Sequence, residues 1–150
     1  MVTWQITIDC HDAGRMVEFW GPVLGYEKRL PPEGFATWNA WYRSVGVPED
    51  ELDPTGDGAD RLSDPDGQGP NIWFQQVPEP KRVKNRIHLD VYVGGGREIP
   101  IAERRRRVDA RVAELIDAGA TVRNVADHTL SHDHYFVVML DPEGNEFCVA

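Results

Sequence analysis

The sequence predicts an α+β fold: two tandem βαβββ modules forming a curved mixed sheet around a ligand cup. Three observations lead there. An Asp-Pro-acidic-Gly turn occurs twice, at Asp64-Pro-Asp-Gly67 and Asp141-Pro-Glu-Gly144, each time ahead of an apolar, strand-like run. Each copy also lies downstream of an alternating segment followed by a helical one. Finally, both helices carry an apolar stripe that must be buried against apolar strand faces, which leaves the opposite strand faces to polar and aromatic residues. The 150 residues then read as one domain, with module one at about 1–79 and module two at about 85–150.

Trp4-Gln-Ile-Thr-Ile-Asp9 opens the first module with the period of a half-buried strand. Ile6 and Ile8 face one way; Gln5, Thr7 and Asp9 face the other. Asp12 can cap a helix whose stripe is Met16, Val17, Phe19, Trp20 and Val23, and Gly25 ends it. Residues 26–30 and 35–43 read as the next two strands, around a turn at Pro31-Pro-Glu-Gly34. On that reading Trp38 and Tyr42 share a strand face. Residues 45–70 lack periodicity and are rich in Asp, Glu, Gly and Pro, so they read as an exposed loop. Its acidic residues do not follow the spacing of a helix–loop–helix calcium site. Residues 72–77 make the fourth strand, with Trp73 and Gln75 on its polar side, and 78–85 are a Pro-stiffened link.

The second module repeats the order. Residues 86–93 alternate, with His88, Asp90 and Tyr92 on one face and Ile87, Leu89 and Val91 on the other. A helix over about 100–118 buries Val108, Val112, Leu115 and Ile116, and Gly119 closes it. Its basic run, Arg104 to Arg107, reads as a solvated face balanced by Glu103, Asp109 and Glu114. Strands at 121–126, 135–140 and 145–149 complete the module. His128, His132 and His134, with Asp127 and Asp133, read as a polar loop at the rim of the cup.

Composition narrows the function. A formal charge of −9, from 25 acidic and 16 basic residues, disfavours nucleic acid, which demands a basic face. No apolar run is long enough to span a bilayer. The first residues enter a strand at once, and there are two cysteines; the expectation is a cytoplasmic protein with reduced thiols.

Several motifs, taken together, resemble the vicinal oxygen chelate superfamily, and within it the glyoxalase-like branch. They are Ile6-Thr-Ile-Asp-Cys-His-Asp12, Glu18-Phe-Trp-Gly-Pro-Val-Leu-Gly25, Arg86-Ile-His-Leu-Asp90, the link that begins at Val77, and the tail from Asp141 to Val149. The superfamily includes glyoxalases, extradiol dioxygenases, epimerases, fosfomycin-modifying enzymes and metal-free bleomycin-binding proteins, so membership does not choose a reaction. The resemblance implies a homodimer and a metal quartet, two positions per module. In this chain those positions carry Gln5, Gln75, His88 and Cys148. The two places that usually hold carboxylates are filled by other residues, which removes charged ligands and the proton-moving base.

Two functions from different classes follow. One is a small-molecule binding protein with a degenerate quartet, sequestering or modifying a toxic or antibiotic compound. Its cup would be lined by Gln5, Thr7, Asp9, Trp38 and Trp73 from the first module, with Gln75, and by His88, Asp90, Met139 and Cys148 from the second. The other is a lyase, isomerase or dioxygenase dependent on a divalent metal (zinc, nickel, iron or manganese), with His88 as its leading ligand.

Overall fold

A computed structural model describes residues 3–54, 56–128 and 133–150. They divide into two compact units, Met1–Pro80 and Lys81–Ala150.

Unit 1 contains β1 (Gln5–Cys10), α1 (Ala13–Leu24), β2 (Glu27–Lys28), α2 (Trp38–Ser44), a 3-10 turn (Glu49–Glu51), β3 (Arg61–Ser63) and β4 (Asn71–Gln76). Its sheet order is β1-β4-β3-β2, with β1 parallel to β4 and the other pairs antiparallel. The Asp12 carboxylate accepts from the Arg15 amide at 2.9 Å and starts α1; Gly25, at φ 70°, ends it. Met16, Val17, Phe19, Trp20 and Val23 form the buried stripe as expected. Met16 packs in a core with Leu62 and Phe74, all at 0% exposure. Burying each such side chain stabilises by roughly 1.5–3 kcal/mol.

The third strand is not where alternation placed it. Residues 38–44 are helical because the Thr37 hydroxyl accepts from the Ala40 amide at 3.1 Å, and Trp38, Trp41 and Tyr42 cluster at helical spacing. Aromatic residues are enriched in strands, and that preference yielded here to a cap and a ring cluster. The true third strand, Arg61–Ser63, lies inside the segment expected to be a loop, anchored by the fully buried Leu62.

Unit 2 contains β5 (Asp90–Val91), α3 (Ile101–Asp117), β6 (Thr121–His128), β7 (His134–Leu140) and β8 (Glu146–Val149), in the order β5-β8-β7-β6. Again the first and last strands are parallel. The β5 strand is shorter than the alternation of 86–93 suggested. Backbone bonds from Cys148 to Leu89 and from Val93 to Ala150 continue the pairing beyond it. Val108 and Leu115 of α3 are buried with Val137, Met139, Phe147 and Val149, while Ile116 is 48% exposed and lies off the stripe. Two of the three expected acids pair with the basic run, Arg106 and Arg107 on Glu103 and Arg105 on Asp109, whereas Glu114 pairs with Arg111; Arg105 also reaches Asp127, and Arg104 reaches Asp133.

The repeated turn has one physical cause in both places. Asp64 accepts from the amides of Asp66, Gln68 and Gly69, and Asp141 from those of Glu143 and Asn145. The glycines sit at φ 66° and 87°, where a side chain would be strained. These amides hold the Asp64 carboxyl below its usual range, the Gly69 amide most of all.

Candidate functional site

In unit 1, β1 exposes Gln5, Thr7 and Asp9 and turns Ile6, Ile8 and Cys10 inward, as its alternation requires. β4 buries Ile72 and Phe74 and puts Trp73 and Gln75 on the other face. The parallel register sets Gln5 beside Asn71, Thr7 beside Trp73, and Asp9 beside Gln75. Gln5 and Gln75 therefore share a face but lie four residues apart along it, about 13 Å at strand spacing. That separation is too great for the two amides to hold one ion without a larger ligand between them.

Trp73 and Gln75 line a cavity of about 500 Å³, together with Asn39, Tyr42 and Asp60 and the loop residues Glu51, Leu52 and Asp53. Asp60 organises its aromatic wall. The Tyr42 hydroxyl donates to Asp60 Oδ2 at 2.6 Å and the Trp73 indole donates to the same oxygen at 2.8 Å. Burial, then the Asp60 bond, raises the Tyr42 pKa. Arg61 lies over the Trp38 ring at 4.4 Å and the Trp73 ring at 5.2 Å. Trp38 itself is 3% exposed, donates to the Arg29 carbonyl at 2.8 Å, and is absent from the cavity wall. Because residues 38–44 are helical and not a strand, Trp38 is buried instead of lining the expected cup.

In unit 2 the expected residues His88, Asp90 and Cys148 do come together: their donor atoms lie within 4.8 Å of one another. His88 Nε2 is 3.3 Å from Asp90 Oδ1, and Asp90 is the register partner of Cys148. Burial, then the nearby Asp90 charge, raises the Cys148 thiol pKa. Met139 does not join them. It is fully buried beside Phe147, on the side that packs against α3, because Tyr135, Val137 and Met139 form the inward alternation of β7. Tyr135 is on that side too, donating to Asp109 at 2.6 Å, with its pKa pushed up to about 12 chiefly by burial. His128 and His134 are register partners at the ends of β6 and β7 rather than loop residues, and His132 lies outside the described residues.

Asn39, Tyr42 and Asp60 are the wall residues that sequence reasoning missed. The aromatic spacing at 38, 41 and 42 was a helical signal that could have found Tyr42. Nothing in Gly58-Ala-Asp-Arg61 distinguishes Asp60 from the acidic residues around it.

Comparison with known proteins identifies the family and the fold. The sequence profile of the glyoxalase-like domain matches residues 5–150. A glyoxalase/bleomycin resistance protein/dioxygenase family enzyme from Burkholderia phytofirmans PsJN is similar at 20% identity and TM-score 0.54, covering 97% of this chain and 94% of its own. A hypothetical protein from S. aureus matches at 15% identity and TM-score 0.55, covering 99% and 96%. The fosfomycin resistance protein FosX from Mesorhizobium loti matches at 12% identity and TM-score 0.52, covering 99% and 92%. At such identities what is shared is the fold. Comparison with curated protein sequences gives no match.

Proposed function

We infer, from the premise that this chain belongs to the glyoxalase-like domain family, that it binds a small organic molecule. One observation carries the reading: the cavity of about 500 Å³ in unit 1, walled by Trp73, Gln75, Tyr42 and Asp60. That volume suits a drug-sized ligand, and the mixture of ring faces with a few polar groups is typical of such sites. Gln5, Thr7 and Asp9 extend the polar face of the same sheet. The role we assign is sequestration or modification of a toxic or antibiotic compound. FosX, named for fosfomycin resistance, offers a precedent for such a role on this fold. A homodimer in the cytoplasm completes the reading.

The test is a compound screen read by tryptophan emission and thermal shift. Hits should lose about tenfold or more in affinity in Gln75→Ala and Trp73→Phe, since each removes a wall contact. A screen whose hits ignore both substitutions removes the proposal. A light-scattering mass equal to one chain of 17.0 kDa would remove the dimer.

A second reading rests on the His88, Asp90 and Cys148 cluster. Imidazole nitrogen, carboxylate oxygen and thiolate sulfur fit zinc, and also nickel or iron, with a position to spare for substrate. Such an ion would supply Lewis acidity to a lyase, isomerase or dioxygenase. Cys148 would have to surrender its proton, against the upward push on its thiol. Metal analysis of protein purified without a histidine tag decides this. One divalent ion per chain, lost on His88→Ala, supports the enzyme; metal-free protein removes it.

A further inference from the structure

Much of the unit 1 cavity wall is chain that has no regular structure to hold it. Residues 51–54 and 58–60 of the β2–β3 connection line the cavity together with Tyr42, Trp73 and Gln75. Leu52, 8% exposed, fixes one end of that stretch. The Asp60 carbonyl, which accepts from the Phe74 amide at 2.8 Å, fixes the other. Between them residues 52–54 and 56–59 make neither strand nor helix, and Gly56 and Gly58 lie two positions apart. Holding such a strap in one place costs conformational entropy, so something must fasten it.

Asn39 supplies the fastening. Its Nδ2 donates to the Asp53 carbonyl at 2.8 Å and to the Gly56 carbonyl at 3.2 Å. Its backbone amide, one that the start of α2 leaves without a helical partner, donates to the Asp57 carbonyl at 2.9 Å. The helical spacing of α2 sets Asn39 and Tyr42 on one face, and the Tyr42 hydroxyl donates to the Asp60 carboxylate at 2.6 Å. Gly58 completes the clasp. It sits at φ 77°, and a Cβ there would come within 2.9 Å of the Asn39 backbone nitrogen and closer still to its Oδ1. That oxygen is closed off against Gly58, so Asn39 acts on the cavity through the strap and not by offering a polar atom to a ligand.

We propose that Asn39, seated against Gly58, is the positioning residue of this cavity. Its three bonds hold the strap as the wall that shares the cavity with Trp73 and Gln75, and a ligand meets a preformed surface because of them. Without the clasp the strap keeps its two ends and loses its fixed course between them, so binding would have to order it each time. The inference rests on the small-molecule reading above and adds what keeps that site in shape.

The experiment is a fluorescence titration of the full chain with Nile red, an uncharged aromatic dye, with hydrogen exchange of the Gly56 and Ala59 amides followed in parallel. Asn39→Asp keeps the residue's size but sets a carboxylate against two carbonyls. At pH 7 it should weaken dye binding about tenfold and speed exchange at both amides. Burial raises the pKa of such a carboxyl, and once protonated it donates again to one carbonyl. The deficit relative to the native chain should therefore shrink about threefold or more near pH 5. His11, Asp12, Glu51, Asp53 and Asp60 are ionisable groups of the same cavity in both proteins, so the ratio between the two is the quantity read. A deficit of the same size at both pH values is a general loss of structure and overturns the proposal. Gly58→Ala lifts the strap from its other side and serves where Asn39→Asp fails to fold. The double variant should lose little beyond the larger single loss, since both act at one contact; additive losses overturn the proposal. Dye binding that Gln75→Ala lowers, and that neither clasp variant changes, overturns the inference and leaves the small-molecule reading standing. Unchanged exchange at Gly56 and Ala59 overturns it too. So does a native chain that binds no dye, and the wider compound screen then decides the parent reading separately.

Discussion

Unit 1 and unit 2 follow one strand order but use their residues differently. In unit 1 the connection from β2 to β3 is long and the strands short: β2 has two residues, β3 has three, and α2 with a 3-10 turn occupies the chain between them. In unit 2 the equivalent strands pair as a hairpin of eight and seven residues, separated in sequence only by residues 129–133. The long connection of unit 1 folds back as the wall of a cavity, which Glu51, Asp53 and Asp60 line. Unit 2 instead gathers an imidazole, a carboxylate and a thiol at the parallel pair of β5 and β8. Across the parallel pair, Thr7 meets Trp73 in one unit, while Asp90 meets Cys148 in the other. A shared topology places both sites near the first and last strands; the connections and a few side chains decide their chemistry.

The comparison can be broken most forcefully at its cores. Phe74→Ala and Phe147→Ala each empty a fully buried position, and each should cost about 3–5 kcal/mol in denaturant unfolding. Phe74→Ala should damage binding of the compound-screen hits in the cavity, and Phe147→Ala the His88 cluster. An equal loss of both properties in both variants would contradict separate sites.

Glu146 offers a smaller contrast, for among the described residues unit 1 has no buried carboxylate so heavily bonded. It is 5% exposed, accepts from the Asn85 amide at 2.9 Å and from Lys81 at 3.3 Å, and pairs with Arg123. The Asn85 bond, ahead of the Lys81 contribution, lowers its pKa to about 2. The folded value lies below the unfolded one of about 4.3, so this stabilisation is present above that pH and disappears as pH falls toward 2. Glu146→Gln should therefore cost about 1–3 kcal/mol at pH 7 and flatten the acid limb of the stability curve. An unchanged acid limb would exclude this role.

The smallest effect concerns the thiols. Cys10 is 2% exposed in unit 1 and Cys148 is half-buried in unit 2, so alkylation at neutral pH should report Cys148. Because Asp90 raises the thiol pKa, Asp90→Asn should move the alkylation profile toward lower pH and speed the reaction a few-fold. A profile unmoved by Asp90→Asn would show that burial alone governs the thiol.

Much of this was legible in residue order. The α1 stripe, its Asp12 and Gly25 ends, the paired Asp-Pro turns and the alternation of β1 and β4 all follow from local periodicity and capping chemistry. His88, Asp90 and Cys148 were legible as neighbours because parity and the resemblance pointed to the same strand faces. Met139 went astray although Tyr135, Val137 and Met139 already show one inward face. Trp38 went astray for a different reason: an aromatic segment satisfies strand and helix patterns alike until a cap and a neighbouring ring choose between them.

By itself the chain's order determined α1 with its Asp12 and Gly25 ends, the alternation of β1 and β4 and the paired Asp-Pro turns, since those features depend on contacts only a few residues apart. Tertiary structure alone decided that Asp60, Tyr42, Trp73 and Asn39 share one wall, for they are separated by up to 34 positions and nothing local distinguishes them. Their meeting depends on Leu62 being buried and drawing an acidic, turn-rich segment onto the sheet, an outcome set by the whole core rather than by any one stretch of residues.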